Sequence, residues 1–380
     1  MMMKCPKAEI CGGCPLRNQE LSNYRQEKFA KVSAILSSLP QPLPWGESFF
    51  IPDGTRRRAS LTFNYKSKQL TLGFNQKSSN NIVDFENCLL LTARLNFVIP
   101  YIKELLKEMC SVSYNIKQGK KIIRQNITRG DVLLCDTQAG VDITLEFDAP
   151  LDLNHRMIIS ELSDKCPEII RISHRRGVNA YAEPIIEKIK PFITIEKYKV
   201  YIPSGTFLQP SQEGETTLIN LVKKYVGNVT GLVFDLFCGV GTFSYALASV
   251  NPSVKIVAVD SSPELLRGFR ESINHNQITN LTIKERNLFK NPLDASELKG
   301  AEVVVFDPPR AGASSQVKVL AGISPDDRPE KIIAVSCHPA TFVNDAKSLI
   351  TAGYRLAKIN MVDQFIYSNH SELVALFTKS

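Results

Sequence analysis

The N-terminal part of the chain places its apolar side chains at helical spacing. Between residues 15 and 37 these positions recur every three or four residues, which predicts one amphipathic helix. Two prolines within residues 41–45 end that pattern. The positions on the apolar face are Leu21, Tyr24, Lys28 or Phe29, Val32 and Leu36.

The pattern then changes to strict alternation of apolar and polar residues. Residues 59–65 and 70–74 alternate on either side of a polar turn at 66–68, which predicts a hairpin of half-buried strands. Further strand-like runs follow at 121–127, 132–136 and 141–147. The first half is therefore predicted to be an α+β unit rich in antiparallel sheet.

In the second half, short apolar runs alternate with helical patterns. The runs cover residues 232–235, 255–260, 303–307 and 331–336, as expected for buried strands of a doubly wound α/β sheet. The boundary is expected near residues 203–209. We therefore predict an α+β domain over 1–205 and a Rossmann-like domain over 206–380. A helix within 15–40 is a candidate for packing on the second domain.

Bulk composition narrows the class of protein without naming an activity. The 380 residues suit two domains, and 43% hydrophobic with 22% charged residues is an ordinary globular balance. No apolar run approaches the roughly 18 residues of a membrane-spanning helix, and the N-terminus has no apolar signal core. We therefore expect a cytoplasmic protein that does not enter a membrane. The net charge of +8 is compatible with a polyanionic partner or with solvated lysines alone.

A glycine-containing turn follows the first strand of the second half. Gly239 and Gly241 lie between that strand and a helix, where glycines let the backbone approach a ligand. Asp260 ends the next strand, about 20 residues on, which suits a ribose diol. Ser244 stands where a dinucleotide fingerprint has its third glycine, and Asp235 precedes the turn. These features favour S-adenosylmethionine, a nucleoside without a pyrophosphate, over a dinucleotide.

Three reactive side chains follow or precede later strands of the same half. Asp307 lies in 305–312, Cys337 in 335–341 and Glu372 in 369–373. A thiolate, a hydrogen-bonding group and a carboxylate are what C5 methylation of uracil needs, because addition of sulfur at C6 makes C5 nucleophilic. Cys337 precedes a helix, whose dipole is expected to favour the thiolate. Taken singly, each residue also has an ordinary structural explanation.

Four of the nine cysteines form a second pattern. Cys5, Cys11 and Cys14 lie close together, and Cys88 lies far downstream. Four thiolates favour zinc or an iron–sulfur cluster, and chemistry alone makes zinc the default. Cys88 also fits an ordinary buried cysteine, because apolar residues follow it.

Taken together, the ordered motifs of residues 207–373 resemble those of the RNA uracil-5-methyltransferase family, which acts on tRNA and rRNA. The resemblance implies a Rossmann-like methyltransferase domain preceded by an α+β iron–sulfur domain that binds RNA. It also implies that Cys337 is the nucleophile and Glu372 the base. The motifs are FLQPS, DLFCGVGTF, DPPRAG, SCHPAT and HSE.

The same resemblance implies the cofactor sites. S-adenosylmethionine is expected to contact residues on several loops, and a [4Fe-4S] cluster replaces zinc as the expected metal group. The matching cofactor positions are Gln209, Phe237, Asp260, Asn287 and Asp307, and the cluster ligands are Cys5, Cys11, Cys14 and Cys88.

The expected partner is RNA. Because the cysteines stand at the start of the sequence, we expect no N-terminal β-barrel of the kind that longer family members have; in this respect the chain is similar to shorter members, some of which modify large-subunit rRNA. We therefore expect an rRNA substrate more than a tRNA, and a monomeric enzyme. The basic runs at 56–58 and 174–176 suit either phosphate contacts or a solvated edge.

Two other functions are compatible with part of this pattern. A methyltransferase acting on an exocyclic amine could use the DPPR segment and would not need Cys337. A non-catalytic metal-containing RNA-binding protein could retain a degenerate methyltransferase fold. The presence of Asp307, Cys337 and Glu372 together argues against the second alternative.

Overall fold

The structure is a computed structural model that describes residues 5–119, 121–178 and 180–380. The helices are α1 (Leu21–Ile35), α2 (Ala93–Ser111), α3 (Leu153–Lys165), α4 (Gln212–Val226), α5 (Thr242–Val250), α6 (Pro263–His275), α7 (Ser314–Gly322) and α8 (Pro339–Thr351). The strands are β1 (Trp45–Phe50), β2 (Arg58–Lys66), β3 (Gln69–Asn75), β4 (Ile82–Asp84), β5 (Ser113–Gln118), β6 (Lys121–Asn126), β7 (Arg129–Thr137), β8 (Gly140–Glu146), β9 (Ile169–Arg175), β10 (Glu183–Glu187), β11 (Phe192–Ile195), β12 (Tyr198–Tyr201), β13 (Leu232–Leu236), β14 (Lys255–Asp260), β15 (Leu281–Glu285), β16 (Ala301–Phe306), β17 (Lys331–Ser336), β18 (Tyr354–Asp363) and β19 (Glu372–Lys379).

Internal contacts divide the chain into two compact units, each built from several segments. The first unit comprises Met1–Asn18, Pro52–Ile193 and Ile202–Gln212. The second unit comprises Gln19–Ile51, Thr194–Tyr201 and Glu213–Ser380. Helix α1 therefore belongs to the second unit, although it precedes most of the first unit in the chain.

The first unit is built on a largely antiparallel sheet. Its strand order is β10-β9-β8-β7-β2-β3-β4, and only the β8–β9 pair is parallel. The predicted hairpin is confirmed, since β2 pairs antiparallel with β3. Alternate residues of β2, namely Ala59, Leu61 and Phe63, are buried in the core with helices α2 and α3. The predicted runs near 121–127, 132–136 and 141–147 form β6, β7 and β8.

The second unit contains the doubly wound sheet. Its strand order is β1-β18-β19-β17-β16-β13-β14-β15. Strands β17, β16, β13, β14 and β15 run parallel, whereas β19 is antiparallel to both of its neighbours. The central strands are apolar throughout because helices cover both faces; Val303 to Phe306, for example, are at most 1% exposed.

Three strands of this sheet, β1, β15 and β18, were not predicted from the sequence, and β1 is the one farthest along the chain from the others. Trp45–Phe50 forms β1, which pairs parallel with β18 beyond the prolines that end the N-terminal helix. Its side chains are mostly half-buried, so the sequence shows no clear alternation there. The carboxyl ends of β13, β14, β16 and β17 nevertheless lie at one edge, where ligands of such sheets bind.

Candidate active site

The glycine-containing turn begins as β13 ends. Phe237, Gly239 and Gly241 all have positive φ, of 60°, 57° and 94°. A Cβ added at Gly241 would lie 2.3 Å from the ring of Phe269, so both the conformation and the space require glycine there. This residue is also the N-cap of α5. The turn therefore brings backbone amides and the start of a helix to the sheet edge.

Asp260, the last residue of β14, connects this turn to the next one. Its Oδ2 accepts a hydrogen bond from the backbone N of Gly239 at 2.9 Å. Its Oδ1 accepts from the backbone N of Ser261 and Ser262, at 2.7 and 3.0 Å. Each carboxylate oxygen has further acceptor capacity, which suits the hydroxyls of a ribose.

Asp235 explains why serine occupies the position of the third glycine. Ser244 donates a hydrogen bond from Oγ to Oδ2 of Asp235, and both side chains are fully buried. Burial raises the pKa of Asp235 to about 7, although the hydrogen bond from Ser244 opposes that shift. A glycine at 244 would leave this carboxyl group without its hydroxyl partner.

The remaining expected cofactor positions have different surroundings. The ring of Phe237 lies 5.3 Å, centroid to centroid, from that of Phe289. Asn287 Oδ1 accepts from the backbone N of Phe289 and Lys290, both at 3.1 Å, and so fixes the turn after β15. Gln209 belongs to the first unit, where its carbonyl accepts from Nε of Arg57 at 3.0 Å.

Three neighbouring strands place the predicted reactive groups at one edge. Asp307 follows β16, Cys337 follows β17, and Glu372 begins β19. Strand β17 pairs with both of the others, and Ser336 is opposite Leu373. Glu372 is only 3% exposed, and its Oε1 accepts from Nε2 of Gln364 at 3.2 Å.

These three groups perturb one another's ionisation. Burial raises the pKa of Glu372 to about 7, against the opposing effects of Gln364 and Arg310. Burial, Glu372 and Asp235 together hold the pKa of Asp307 well above its usual range. Two neighbouring carboxyl groups of like charge disfavour simultaneous ionisation. The site therefore favours the protonated form of Asp307 and Glu372 more than water does.

The expectation that the helix dipole favours a Cys337 thiolate is wrong for this state of the protein. Burial, followed by the charges of Glu372 and Asp307, raises the pKa of Cys337 to about 11, and Arg310 opposes that shift only in part. Helix α8 begins at Pro339, with His338 as its N-cap. The dipole is therefore outweighed by desolvation and by two acidic neighbours that become adjacent only in the folded chain.

Three polar side chains near this site were not assigned a role from the sequence. Gln364 contacts the expected base directly, but it lies in a connection with no periodic pattern. Arg310 and His370 contact each other: Nη2 of Arg310 lies 2.8 Å from Nδ1 and 2.9 Å from Nε2 of His370. Both were inside recognised motifs, and only the folded chain shows that they meet.

The four cysteines expected to bind a metal group all belong to the first unit. Burial and then Cys5 raise the pKa of Cys11, while burial followed by Cys11 and Cys5 raises that of Cys88. Burial, Cys88 and Cys11 raise the pKa of Cys14 to about 12, although Arg17 opposes them. Among the described residues, however, no three His, Cys, Asp or Glu side chains converge as a metal site. Thiols are suitable ligands for an iron–sulfur cluster, but the arrangement of these four thiols does not itself define a cluster site.

The basic runs are largely used inside the first unit. Arg57 is 4% exposed, and Arg58 lies 4.5 Å from the ring of Phe207. His174 is buried with Nε2 3.3 Å from the carbonyl of Phe147, and Arg175 pairs with a glutamate, Glu146. Neither run is simply a solvated edge, and most of these side chains already have partners within the protein.

This architecture defines a class of enzyme. A parallel sheet with one antiparallel strand, a glycine turn and an acid ending the second strand are typical of S-adenosylmethionine-dependent methyltransferases. Residues 104–380 match the sequence profile of the tRNA (Uracil-5-)-methyltransferase family. The chain belongs to this family and is an S-adenosylmethionine-dependent RNA uracil-C5-methyltransferase.

Similar proteins span nearly the whole chain. An uncharacterised RNA methyltransferase of Brucella melitensis is 32% identical, over 99% of this chain and 84% of its own length. The 23S rRNA (uracil(1939)-C(5))-methyltransferase RlmD of Klebsiella pneumoniae is 27% identical, over 99% of this chain and 81% of its own length. A tRNA (uracil-54, C5)-methyltransferase of Pyrococcus abyssi, solved with S-adenosyl-L-homocysteine, has the same fold, with a TM-score of 0.72. The two are 22% identical, and the alignment covers 100% of this chain and 88% of that one.

No helix in the described parts of the chain is long and apolar enough to span a membrane.

Proposed function

We propose that the enzyme methylates its target uracil through a covalent bond between Cys337 and C6. The observation that carries this proposal is the meeting of Cys337, Glu372 and Asp307 at the ends of three neighbouring strands. The charge of Glu372 helps to raise the pKa of both Asp307 and Cys337, which supports their proximity. A methyltransferase acting on an amine would have no use for a half-buried thiol near two carboxyl groups.

The proposed steps conserve atoms and charge. The Cys337 thiol loses its proton to solvent, and the thiolate adds to C6, which leaves an enolate. C5 of the enolate takes the methyl group from the sulfonium of S-adenosylmethionine, which leaves as S-adenosylhomocysteine. Glu372 removes the C5 proton, the sulfur–C6 bond breaks, and the proton passes to solvent.

Asp307 has a separate role in this proposal. Burial and the charges of Glu372 and Asp235 raise its pKa, so its carboxyl group favours the protonated form more than an ordinary aspartate does. A protonated carboxyl group in a desolvated site can donate a hydrogen bond to a developing oxyanion. We assign that donation to the enolate oxygen of the uracil.

The cofactor contacts belong to the same proposal. The acceptor oxygens of Asp260 suit the ribose, and the half-buried ring of Phe237 lies beside the glycine turn. We assign Asn287 and Asp307 to the same ligand, because they match the family's cofactor positions.

Large-subunit rRNA is the substrate that we propose. The net charge of +8 favours a polyanionic partner, and the RlmD relative aligns over 99% of this chain at higher identity than the tRNA-modifying structural neighbour. Mapping of 5-methyluridine in rRNA and tRNA, from cells with and without the protein, tests this choice. Loss from rRNA alone, restored by wild-type protein but not by Cys337→Ala, is the expected result. Loss from tRNA alone would overturn the substrate assignment.

We further propose that Cys5, Cys11, Cys14 and Cys88 bind a [4Fe-4S] cluster that stabilises the first unit. The supporting observation is that the pKa of each of Cys11, Cys14 and Cys88 is raised in part by another thiol of this set. Protein purified without oxygen should contain about four iron and four sulfide per chain. Cys11→Ser should lose that iron, whereas Cys110→Ser, which changes another buried cysteine of the unit, should retain it. Zinc without iron in the wild-type protein would contradict the assignment.

A further inference from the structure

A buried ion-pair network connects helix α1 to the segment that precedes the expected base. Tyr24 and Lys28 are one helical turn apart on α1 and are 0% and 4% exposed. Asp363, the last residue of β18, is fully buried between them. Its Oδ2 accepts from Oη of Tyr24 at 2.6 Å, and its Oδ1 accepts from Nζ of Lys28 at 2.8 Å.

The same two side chains also hold the middle of the following connection, residues 364–371. Nζ of Lys28 donates to the carbonyl of Ser368 at 2.8 Å and to Oη of Tyr24 at 3.1 Å. The backbone N of Tyr367 donates to Oη of Tyr24 at 2.8 Å. All three ammonium hydrogens of Lys28 therefore have acceptors. The network therefore includes Asp363, directly before the connection, and contacts the connection at Tyr367 and Ser368.

Glu372 is held both by this connection and by the strand that precedes it, β18. Gln364, the first residue after Asp363, donates to Glu372, while Val362 is paired with Glu372 across the sheet. At the turn, Tyr367 has a φ of 60°, which is unfavourable for a residue with a large side chain. Its ring packs against that of Tyr24 at 5.0 Å, so tertiary contacts maintain this conformation.

We infer that Tyr24, Lys28 and Asp363 are positioning residues, which hold the 364–371 connection so that Glu372 can reach the C5 proton. None of the three belongs to the groups that contact the uracil in the proposed mechanism. The inference rests on the proposed role of Glu372 as the base. A purely structural network would affect stability alone, whereas a positioning network affects one chemical step more than the others.

Tyr24→Phe is the sharpest test, because it removes one oxygen and keeps the ring against Tyr367. Tyr354→Phe is the matched control: Tyr354 is also buried in the second unit, and its Oη donates to the carbonyl of Pro329 at 3.2 Å. The probe is transcribed large-subunit rRNA carrying tritium at uracil C5, used with the full chain under single-turnover conditions. Methyl transfer into a denaturation-stable complex reports addition, and tritium release reports proton removal.

In Tyr24→Phe, tritium release should slow by about 10- to 100-fold relative to methyl transfer, so that methylated covalent complex accumulates. Hydrogen exchange at the Tyr367 amide should quicken by at least about tenfold, while Tyr354→Phe changes neither quantity. Asp363→Asn should show the same pattern more strongly. If Asp363→Asn does not fold, Tyr24→Phe still decides the question.

The outcomes separate the network from the mechanism on which it rests. Equal slowing of both steps, or unchanged exchange at Tyr367, would overturn the inference while the proposed function stands. If Glu372→Gln releases tritium at the wild-type rate, or if the wild-type protein methylates neither rRNA nor tRNA transcripts, the proposed function fails instead.

Discussion

The ionisation of Glu372 should be visible in the stability of the protein, and Glu372→Gln removes it. The glutamate is 3% exposed, and burial raises its pKa from 4.5 to about 7. Glutamine has nearly the same size, cannot ionise, and can still accept the hydrogen bond from Gln364. The substitution therefore removes a titration rather than a packing contact.

The sign of the pH dependence of stability follows from the upward direction of the pKa shift. Below pH 4.5 the carboxyl group is protonated in both the folded and the unfolded chain. Between pH 4.5 and about 7 the folded protein keeps a proton that the unfolded chain has lost, so the free energy of unfolding falls as the pH rises. Above about pH 7 Glu372 is ionised in both the folded and the unfolded chain, and the free energy of unfolding falls no further on its account. A shift of 2.5 pH units at about 1.4 kcal/mol each gives a loss of about 3 kcal/mol.

Urea denaturation at pH 5, 6, 7 and 8 measures this loss, with tryptophan fluorescence as the signal. Trp45 is the single tryptophan and lies in the second unit, at the start of β1. Between pH 5 and pH 8, the free energy of unfolding of the wild-type protein should fall by about 3 kcal/mol more than that of Glu372→Gln. Glu47→Gln, at an exposed position of β1, is the control. Parallel pH dependences for wild type and Glu372→Gln would refute the burial argument.

Three further predictions concern the chemistry and the cofactor turn. With ordinary uridine RNA, Glu372→Gln should accumulate methylated covalent complex and form at most one equivalent of S-adenosylhomocysteine, whereas multiple turnover near the wild-type rate would remove Glu372 from the mechanism. Gly241→Ala should lose at least about 2 kcal/mol of stability in urea denaturation, because its Cβ would meet the Phe269 ring at 2.3 Å. Asp260→Asn should weaken S-adenosylmethionine binding by about 10- to 100-fold in calorimetry, through loss of charge-assisted hydrogen bonds, while Asp327→Asn at an exposed loop should not.

The sequence predicts best those elements whose burial is uniform. Residues 331–336 form β17 at the predicted bounds, because a strand buried on both faces reads as a continuous apolar run. Strand β1 was missed because it follows two prolines and is only half-buried. Local pattern carries little information about such an edge strand.

The candidate site, too, could be predicted from the sequence only in part. The positions of Asp307, Cys337 and Glu372 follow from strand ends and are visible in the sequence. The pKa of Cys337 depends on burial and on two acidic neighbours from other strands, so it could not be read from the local helix. Lys28 shows the same limit: it lies on an apolar helical face, and its partner Asp363 is 335 residues away.

The covalent intermediate is tested most directly by substituting 5-fluorouridine for uridine in a transcribed large-subunit rRNA. Fluorine cannot leave C5 as a cation, so Glu372 has no proton to remove and the methylated adduct cannot break down. Incubation with S-adenosylmethionine, digestion with protease and nuclease, and mass spectrometry should identify one peptide joined to a fluorinated, methylated nucleotide through Cys337. Cys337→Ala should give no such complex. An adduct at Cys238, or methylation of ordinary uridine RNA by the Cys337→Ala protein, would contradict the account.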